Sequence, residues 1–195
     1  TVSGKVLGWE TESVRLIHTS DGGVEQSPDE WWGGFLSAAK RLIAKNQASA
    51  SLIRAVCCST QGEGTIPVDK DGKALSNGIL WMDMRGASHL KKQLGGLINI
   101  DGADIFKMLR FVQLTGGMPN LGGKDPAGHM LFIRDTQPEI YSKTYKFLNV
   151  LDYMNLQLTG AFAASFDSIV TSWVTDKRDP NSLLYNDGLI SMLGI

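Results

Sequence analysis

The sequence predicts an α/β domain with a mixed sheet flanked by helices, on three observations. A well-punctuated amphipathic helix follows Ser27. Several short apolar runs of strand length are separated by turn signals. A Gly-rich polar loop lies directly behind one of those runs. Strands that alternate with helical patterns, rather than a run of one followed by a run of the other, favour layered α/β packing.

The elements follow in order. Lys5-Val6-Leu7-Gly8-Trp9-Glu10 reads as a strand, and Asp21-Gly22-Gly23 as a turn. Ser27-Pro28-Asp29-Glu30 announces a helix: Ser27 as cap, Pro28 at the first helical position, Glu30 closing a capping box. Trp31, Phe35, Ala38 and Leu42 then recur at helical spacing, and Lys40, Arg41 and Lys45 suit the negative end of the helix dipole. Leu52 to Cys58 is an apolar run of strand length. Thr65-Ile66-Pro67-Val68 and Gly78-Ile79-Leu80-Trp81 are shorter strands on either side of an Asp69-Lys70-Asp71-Gly72 turn. Residues 85–97 and 102–113 carry helical patterns, and 114–124, with its glycines, Pro119 and Asn120, reads as a loop. Helices are expected again from Asp125-Pro126 and after Gln137-Pro138. Phe147 to Leu151 reads as a strand, and Asp152 to Leu158 as a helix.

Composition narrows the function classes. Nineteen basic residues against twenty acidic ones leave a net charge of −1, which gives no electrostatic footprint for nucleic acid or an anionic membrane. No apolar run approaches the roughly 20 residues of a membrane helix. No charged-then-apolar leader is visible before residue 20. The cysteines, Cys57 and Cys58, are adjacent. Neighbours in a strand point to opposite faces, so they are expected as unbridged, buried small hydrophobes of a strand, in a reducing cytoplasm. The sequence has no G-x-x-x-x-G-K-[ST], no G-x-G-x-x-G, no H-E-x-x-H and no paired Cys motif. Ser88-His89-Leu90-Lys91 matches S-x-x-K without its companion motifs, and His18, His89 and His129 are scattered.

Two stretches carry chemistry. Ser59-Thr60-Gln61-Gly62-Glu63-Gly64-Thr65 follows an apolar run, and Gly78-Ile79-Leu80-Trp81-Met82-Asp83-Met84-Arg85 follows a turn. Both place polar groups at strand ends, where α/β sheets present ligand sites. A sugar site needs amide and carboxylate groups for directed hydrogen bonds and an aromatic face for the C–H side of the ring. The alternative makes Gln61 and Glu63 solvated loop polars and Trp81 a core residue. The residues by themselves leave both readings open.

A resemblance adds to this. Glu25-Gln26-Ser27-Pro28-Asp29-Glu30-Trp31-Trp32 resembles the helix entry of xylulokinases. Gln61-Gly62-Glu63 is similar in position to the Gln-Met-His of bacterial xylulokinases and the Gln-Arg-Glu of glycerol kinases. Ile79 to Arg85 resembles their I-L-W-x-D-x-R segment. Thr115-Gly116-Gly117, Pro138-Glu139-Ile140-Tyr141, Asp152-Tyr153 and Leu158-Thr159-Gly160 match further landmarks in order and spacing. From about residue 3 to 180 the chain resembles the FGGY carbohydrate kinases, nearest the xylulokinase-like members.

The resemblance implies a ribonuclease-H-like, actin-like ATPase fold, with residues 1–195 as a single partial domain: the sugar-binding N-terminal domain without its first strands. It implies transfer of the γ-phosphoryl group of ATP, with Mg²⁺, to a sugar hydroxyl, a pentulose such as D-xylulose being the expected substrate. Carried over by position, Gln61 and Glu63 contact sugar hydroxyls, Trp81 walls the pocket, and Asp83 binds or orients the sugar. Gly62 and Glu63 depart from the xylulokinase Met and His, which opens the choice of substrate. The family's D-x-G-T turn, its catalytic Asp and its ATP-binding domain are expected outside this chain. The fragment alone is therefore expected to bind neither ATP nor Mg²⁺ and to be inactive. Two alternatives are a non-catalytic sugar-binding or interaction domain, and a glycerol or other polyol kinase of the same family. The expected partner is a small-molecule sugar, with homo-oligomerisation possible.

Overall fold

The computed structural model describes residues 3–45 and 49–195. Strands β1 (Ile17–His18) and β2 (Val24–Gln26) form a hairpin around the predicted 21–23 turn. Helix α1 (Pro28–Ala44) begins where Pro28 predicts. Ser27, however, makes no side-chain cap bond, and Glu30 turns away to accept from Arg15, so the expected capping box is absent. An ion pair to a neighbouring guanidinium displaces the local bond back to the cap.

Strands β3 (Ile66–Val68) and β4 (Gly78–Ile79) flank the predicted turn, which closes through Gly72 N–H to the Asp69 carbonyl at 3.0 Å. Then come α2 (Ala87–Leu94), the hairpin β5 (Asn99–Ile100) and β6 (Ala103–Asp104), and α3 (Ile105–Thr115). Asp104 caps α3 by accepting from the amides of Phe106 and Lys107, and Gly116 ends it at φ 74°. Next are α4 (Pro126–Thr136), α5 (Pro138–Lys143), β7 (Lys146–Leu148), α6 (Val150–Thr159) and the short α7 (Phe166–Ile169). The chain closes with β8 (Thr175–Asp176), β9 (Leu184–Tyr185) and α8 (Asp187–Leu193).

Helices and short strands alternate as the α/β class requires. Every strand pair among the described residues is antiparallel: β1–β2–β4, β3–β7, β5–β6 and β8–β9. Two expected strands are not formed. The segment from Lys5 to Glu10 forms no strand, with Val6 and Trp9 each 74% exposed. Ala50–Leu52 is a single 3-10 turn, and residues 53–58 continue without strand pairing. Both runs have strand composition. A strand exists only when a neighbour pairs its N–H and C=O groups in a ladder, and no such ladder forms at either run among the described residues. For the same reason Cys57 is exposed and Cys58 half-buried, rather than both lying in a core; neither forms a disulfide.

The core has two main parts. One packs α2, α3, α4 and α8 through Leu90, Leu94, Phe111, Leu114, Leu131, Leu189 and Leu193. The other packs β3, β7 and α6 through Ile66, Val68, Leu148, Tyr153 and Leu156, with Trp31, Trp32 and Phe35 of α1 against it. A third, smaller cluster holds Ile79, Phe132 and Ile133, with Ile140, Tyr141 and Phe147 against it. Removing a buried Leu or Ile such as Leu131 costs about 2–5 kcal/mol.

Two contacts position the loops at the strand ends. Thr65 and Ile79 exchange backbone hydrogen bonds at 2.9 and 3.0 Å, which joins the start of β3 to the end of β4. A Cβ on Gly86 would lie 2.5 Å from the Gly128 carbonyl carbon, so only glycine lets the loop after β4 approach α4 this closely.

Candidate functional site

The Thr65–Ile79 bridge brings both candidate stretches to one end of the molecule. Gln61 and Glu63 lie just before β3; Trp81 and Asp83 lie just after β4. The four residues do not share one environment.

Gln61 is half-buried and spends its amide N–H on Gln26 Oε1 at 3.2 Å. The same oxygen accepts from Trp31 Nε1 at 3.1 Å. The α1 entry and the Gln61 loop are thus joined through one side chain. Glu63 is half-buried with φ 55°, a left-handed conformation uncommon outside glycine. Backbone strain of this kind concentrates where a side chain must be aimed. Burial pushes the Glu63 carboxyl upward, the charge of Asp125 adds to the shift, and Lys177 opposes it. Lys177 is drawn down by its own burial, against the pull of Asp125 and Glu63.

Those neighbours are what sequence reasoning missed. Asp125, only 5% exposed, accepts from Trp173 Nε1 and from the Asn120 amide, both at 2.7 Å. Lys177 Nζ lies 4.3 Å from the centroid of the Trp173 ring. A carboxylate and an ammonium from widely separated parts of the chain, joined through the Trp173 indole, therefore lie within electrostatic reach of Glu63. The Asn120 loop is legible as Gly-rich. Trp173 and Lys177 lie in the irregular final stretch, where no period marks them.

Trp81 is 47% exposed, and Met82 and Met84 beside it are 36% and 54% exposed. The indole is an accessible apolar face and not a core residue. Asp83 is the reverse, at 0% exposed. Its Oδ2 accepts from the Val24 amide at 2.9 Å and from Arg85 Nη2 at 2.8 Å; its Oδ1 accepts from the Arg85 amide at 2.9 Å. Arg85 reaches on to Glu25 Oε1 at 2.6 Å and Asp21 Oδ2 at 3.1 Å, and its guanidinium lies 4.5 Å from the Phe132 ring centroid. Burial pulls the Arg85 guanidinium down, but its bonds to Asp83, Glu25 and Asp21 outweigh this, and it is held firmly charged. Bonds from Thr19 and Arg85 lower Asp21 to about 2.

Taken together, the arrangement offers an amide oxygen, a carboxylate of raised proton affinity, a nearby ammonium and an exposed indole. That set can exchange hydrogen bonds with several hydroxyls while an aromatic face covers C–H groups. Among the described residues no group of three or more His, Cys, Asp or Glu side chains is placed to hold a metal ion. Nor is any helix among them long and apolar enough to cross a membrane.

Comparison with known proteins agrees on the kind of fold. The sequence pattern of the FGGY family of carbohydrate kinases, N-terminal domain, matches residues 1–195. A probable L-xylulose kinase of Pasteurella multocida is 26% identical over 194 residues, 99% of this chain and 37% of that protein. Among solved structures, a xyloylose kinase from Brucella ovis superposes with a TM-score of 0.78 at 20% identity, over 94% of this chain and 34% of the other. Plasmodium falciparum glycerol kinase with ADP gives 0.76 at 19%, over 94% and 35%. The chain thus spans about a third of the length of these relatives.

Proposed function

Since the chain belongs to the FGGY family of carbohydrate kinases, of which it is an N-terminal domain, we propose that it supplies the sugar-binding part of an ATP-dependent kinase that phosphorylates a sugar hydroxyl. The observation that carries this is Glu63: a half-buried carboxylate in a left-handed turn at the end of the loop before β3, on which the charges of Asp125 and Lys177 act. Glu63 accepts from a sugar hydroxyl, and Lys177 donates to one. Gln61, anchored by its N–H to Gln26, keeps its carbonyl oxygen for a further hydroxyl. Trp81 covers the apolar face of the ligand. Asp83 acts at one remove: it fixes Arg85 and the Val24 amide, and so orients the loop that carries Trp81.

ATP supplies the phosphoryl group in this reading. Among the described residues no carboxylate cluster fits Mg²⁺, and none of the side chains singled out is given a metal-binding role. The general base lies in no residue singled out in this chain. The residues described do the binding and orienting part of a reaction that depends largely on positioning and charge stabilisation.

A pentulose such as D-xylulose fits the xylulose-kinase relatives. Glu63 in a Gln-x-Glu turn favours a second substrate, glycerol or another polyol, because this is the turn in which the chain resembles glycerol kinases. The test is intrinsic tryptophan fluorescence of the chain titrated with D-xylulose, L-xylulose and glycerol, beside Glu63→Ala. Saturable quenching by one of them, lost in Glu63→Ala, is the expected result. No response to any sugar or polyol, or an unchanged response in the variant, overturns the reading.

A further inference from the structure

Around the β5–β6 hairpin and α3 the fold turns its large apolar side chains outward. Leu97 is 102% exposed, and Ile98, Ile100, Phe106, Leu109 and Val112 are each between 47% and 68% exposed. Ile105, at the head of α3, donates its amide to the Ile98 carbonyl at 3.0 Å, which sets the hairpin beside the helix. Phe106, Leu109 and Val112 recur at helical spacing on the open side of α3. Apolar residues scattered singly are ordinary on a surface; a continuous set along one hairpin and one helix is not.

The exposure is built in. Asn99 closes the loop onto Gly96: its Oδ1 accepts from the Gly96 amide at 2.9 Å, and its Nδ2 donates to the Gly96 carbonyl at 3.0 Å. Asp101 and Gly102, at φ 53° and 98°, make the tight two-residue turn that suits a twisted hairpin. Polar groups thus close the loop, and Leu97, Ile98 and Ile100 are left outside. Cations fringe the same surface. The Lys91 stem lies along the turn, where a Cβ on Gly102 would be 3.3 Å from its Cδ. Lys107 Nζ donates to the Gln93 and Gly95 carbonyls at 2.9 and 3.0 Å, and Arg110 follows Phe106 by one helical turn. Of the acids nearby, Asp104 is buried as the α3 cap, Asp176 is paired with Arg178 at 2.6 Å, and Asp101 occupies the turn. The local balance is positive, although the chain as a whole carries −1.

We propose that this face lies on an anionic phospholipid bilayer, with Leu97, Ile98, Ile100 and Phe106 at the boundary of headgroups and acyl chains and Lys91, Lys107 and Arg110 against the phosphates. Leu97 decides between a bilayer and a protein partner. Its side chain stands as free as in an open chain. A soft medium closes around such a projection, whereas a protein must supply a matching pocket. Helix α3 rests in the plane of the interface and does not span it; among the described residues no helix is long and apolar enough to cross a membrane. Apolar burial and attraction between charges act together here.

The test floats the 195-residue chain with vesicles of phosphatidylcholine alone, and of phosphatidylcholine mixed equally with phosphatidylglycerol. The chain should rise with the mixed vesicles and far less with phosphatidylcholine, and added salt should weaken the association. Leu97→Ser with Phe106→Ser should reduce binding to mixed vesicles at least about tenfold. Lys91→Ala with Arg110→Ala should reduce it by about as much. Circular dichroism checks that both pairs keep their fold, and either pair decides alone should the other not fold. Trp9→Ser with Val56→Ser, on the other exposed apolar segments, should leave vesicle binding unchanged. No flotation with mixed vesicles overturns the proposal. So does flotation indifferent to either of the first two pairs, or lost only in Trp9→Ser with Val56→Ser. Light scattering without lipid supplies the remaining outcome: if Leu97→Ser with Phe106→Ser lowers the mass of the chain, a second copy covers this face and the bilayer is overturned.

Discussion

His129 joins Thr65 to Asp83. Its Nδ1 lies 3.0 Å from Thr65 Oγ1, and its Nε2 lies 3.3 Å from the Asp83 carbonyl oxygen. A carbonyl can only accept, so Nε2 carries the proton and Nδ1 accepts from the Thr65 hydroxyl. The two loops of the candidate site are therefore fastened to α4 by one neutral, fully buried imidazole.

That imidazole makes stability depend on pH. Burial lowers His129 to about 4, with the Arg85 charge acting the same way against the Asp83 carbonyl and carboxylate. The unfolded chain binds the proton at about 6.5 and the folded one at about 4, so the unfolded state holds more protons between those values. The stabilisation is complete above about pH 6.5 and is lost as pH falls toward 4, on the order of 3 kcal/mol in all. Urea unfolding at pH 7, 5.5 and 4.5 should show the decline, and His129→Gln should flatten it. An equal decline in the variant would overturn the role given to His129; Asp21, lowered to about 2, contributes only at lower pH than this series reaches.

Arg85 is the second fastening. It neutralises Asp83, which is fully buried, and it also holds Glu25 and Asp21. Arg85→Met leaves a buried carboxylate without its counter-charge and should cost about 3–5 kcal/mol. Asp83→Asn combined with Arg85→Met should recover part of that loss, because the stranded charge is gone. Thermal or urea midpoints of the two variants check this; a double variant no more stable than the single one would contradict the network.

How much of this is legible in the sequence depends on where the signal resides. Helix α1 and the 69–72 turn announce themselves through Pro28 and Gly72, whose backbone preferences are local. The strand runs at 5–10 and 52–58 have the right composition, but pairing is a property of neighbours, and composition cannot supply one. Gln61, Glu63, Trp81 and Asp83 are legible as polar groups at strand ends. Their differing burial is not, because Asp83 is sealed by Arg85 and by Val24, 59 residues upstream. Asp125, Trp173 and Lys177 come together, within electrostatic reach of Glu63, only through the tertiary fold.

The 5–10 and 53–58 segments should make the isolated chain associate. Val6, Trp9, Ile53 and Val56 are all at least half exposed. Large apolar side chains exposed side by side mark a surface that another copy can cover. Light scattering across a concentration series should show mass above the monomer at high concentration. Trp9→Lys with Val56→Lys should return it to 21.2 kDa, since charges on an edge oppose pairing. A monodisperse monomer of the unmodified chain at high concentration would count against the idea.

Glu63 and Trp81 separate function from stability. Neither has a core role: Glu63 is half-buried at a loop, and Trp81 is 47% exposed. Under the proposed kinase function, Glu63→Ala in the whole protein should lose a charged hydrogen bond to the sugar worth about 1.5–3 kcal/mol, a drop of roughly 10- to 150-fold in kcat/KM for the sugar. Trp81→Ala should raise the sugar KM while shifting the melting midpoint little, since surface substitutions away from special features stay within about 0.5 kcal/mol. Asp83→Ala should behave in the opposite way. It empties a buried ion-paired site, so the protein should melt early, and whatever sugar activity it loses should follow the loss of fold. The KM for ATP should be nearly unchanged in Glu63→Ala. The decisive comparison sets thermal midpoints beside sugar kinetics for the three variants. If Glu63→Ala melts early yet keeps normal sugar kinetics when folded, its carboxylate serves the turn and not the ligand, and the site must be sought elsewhere.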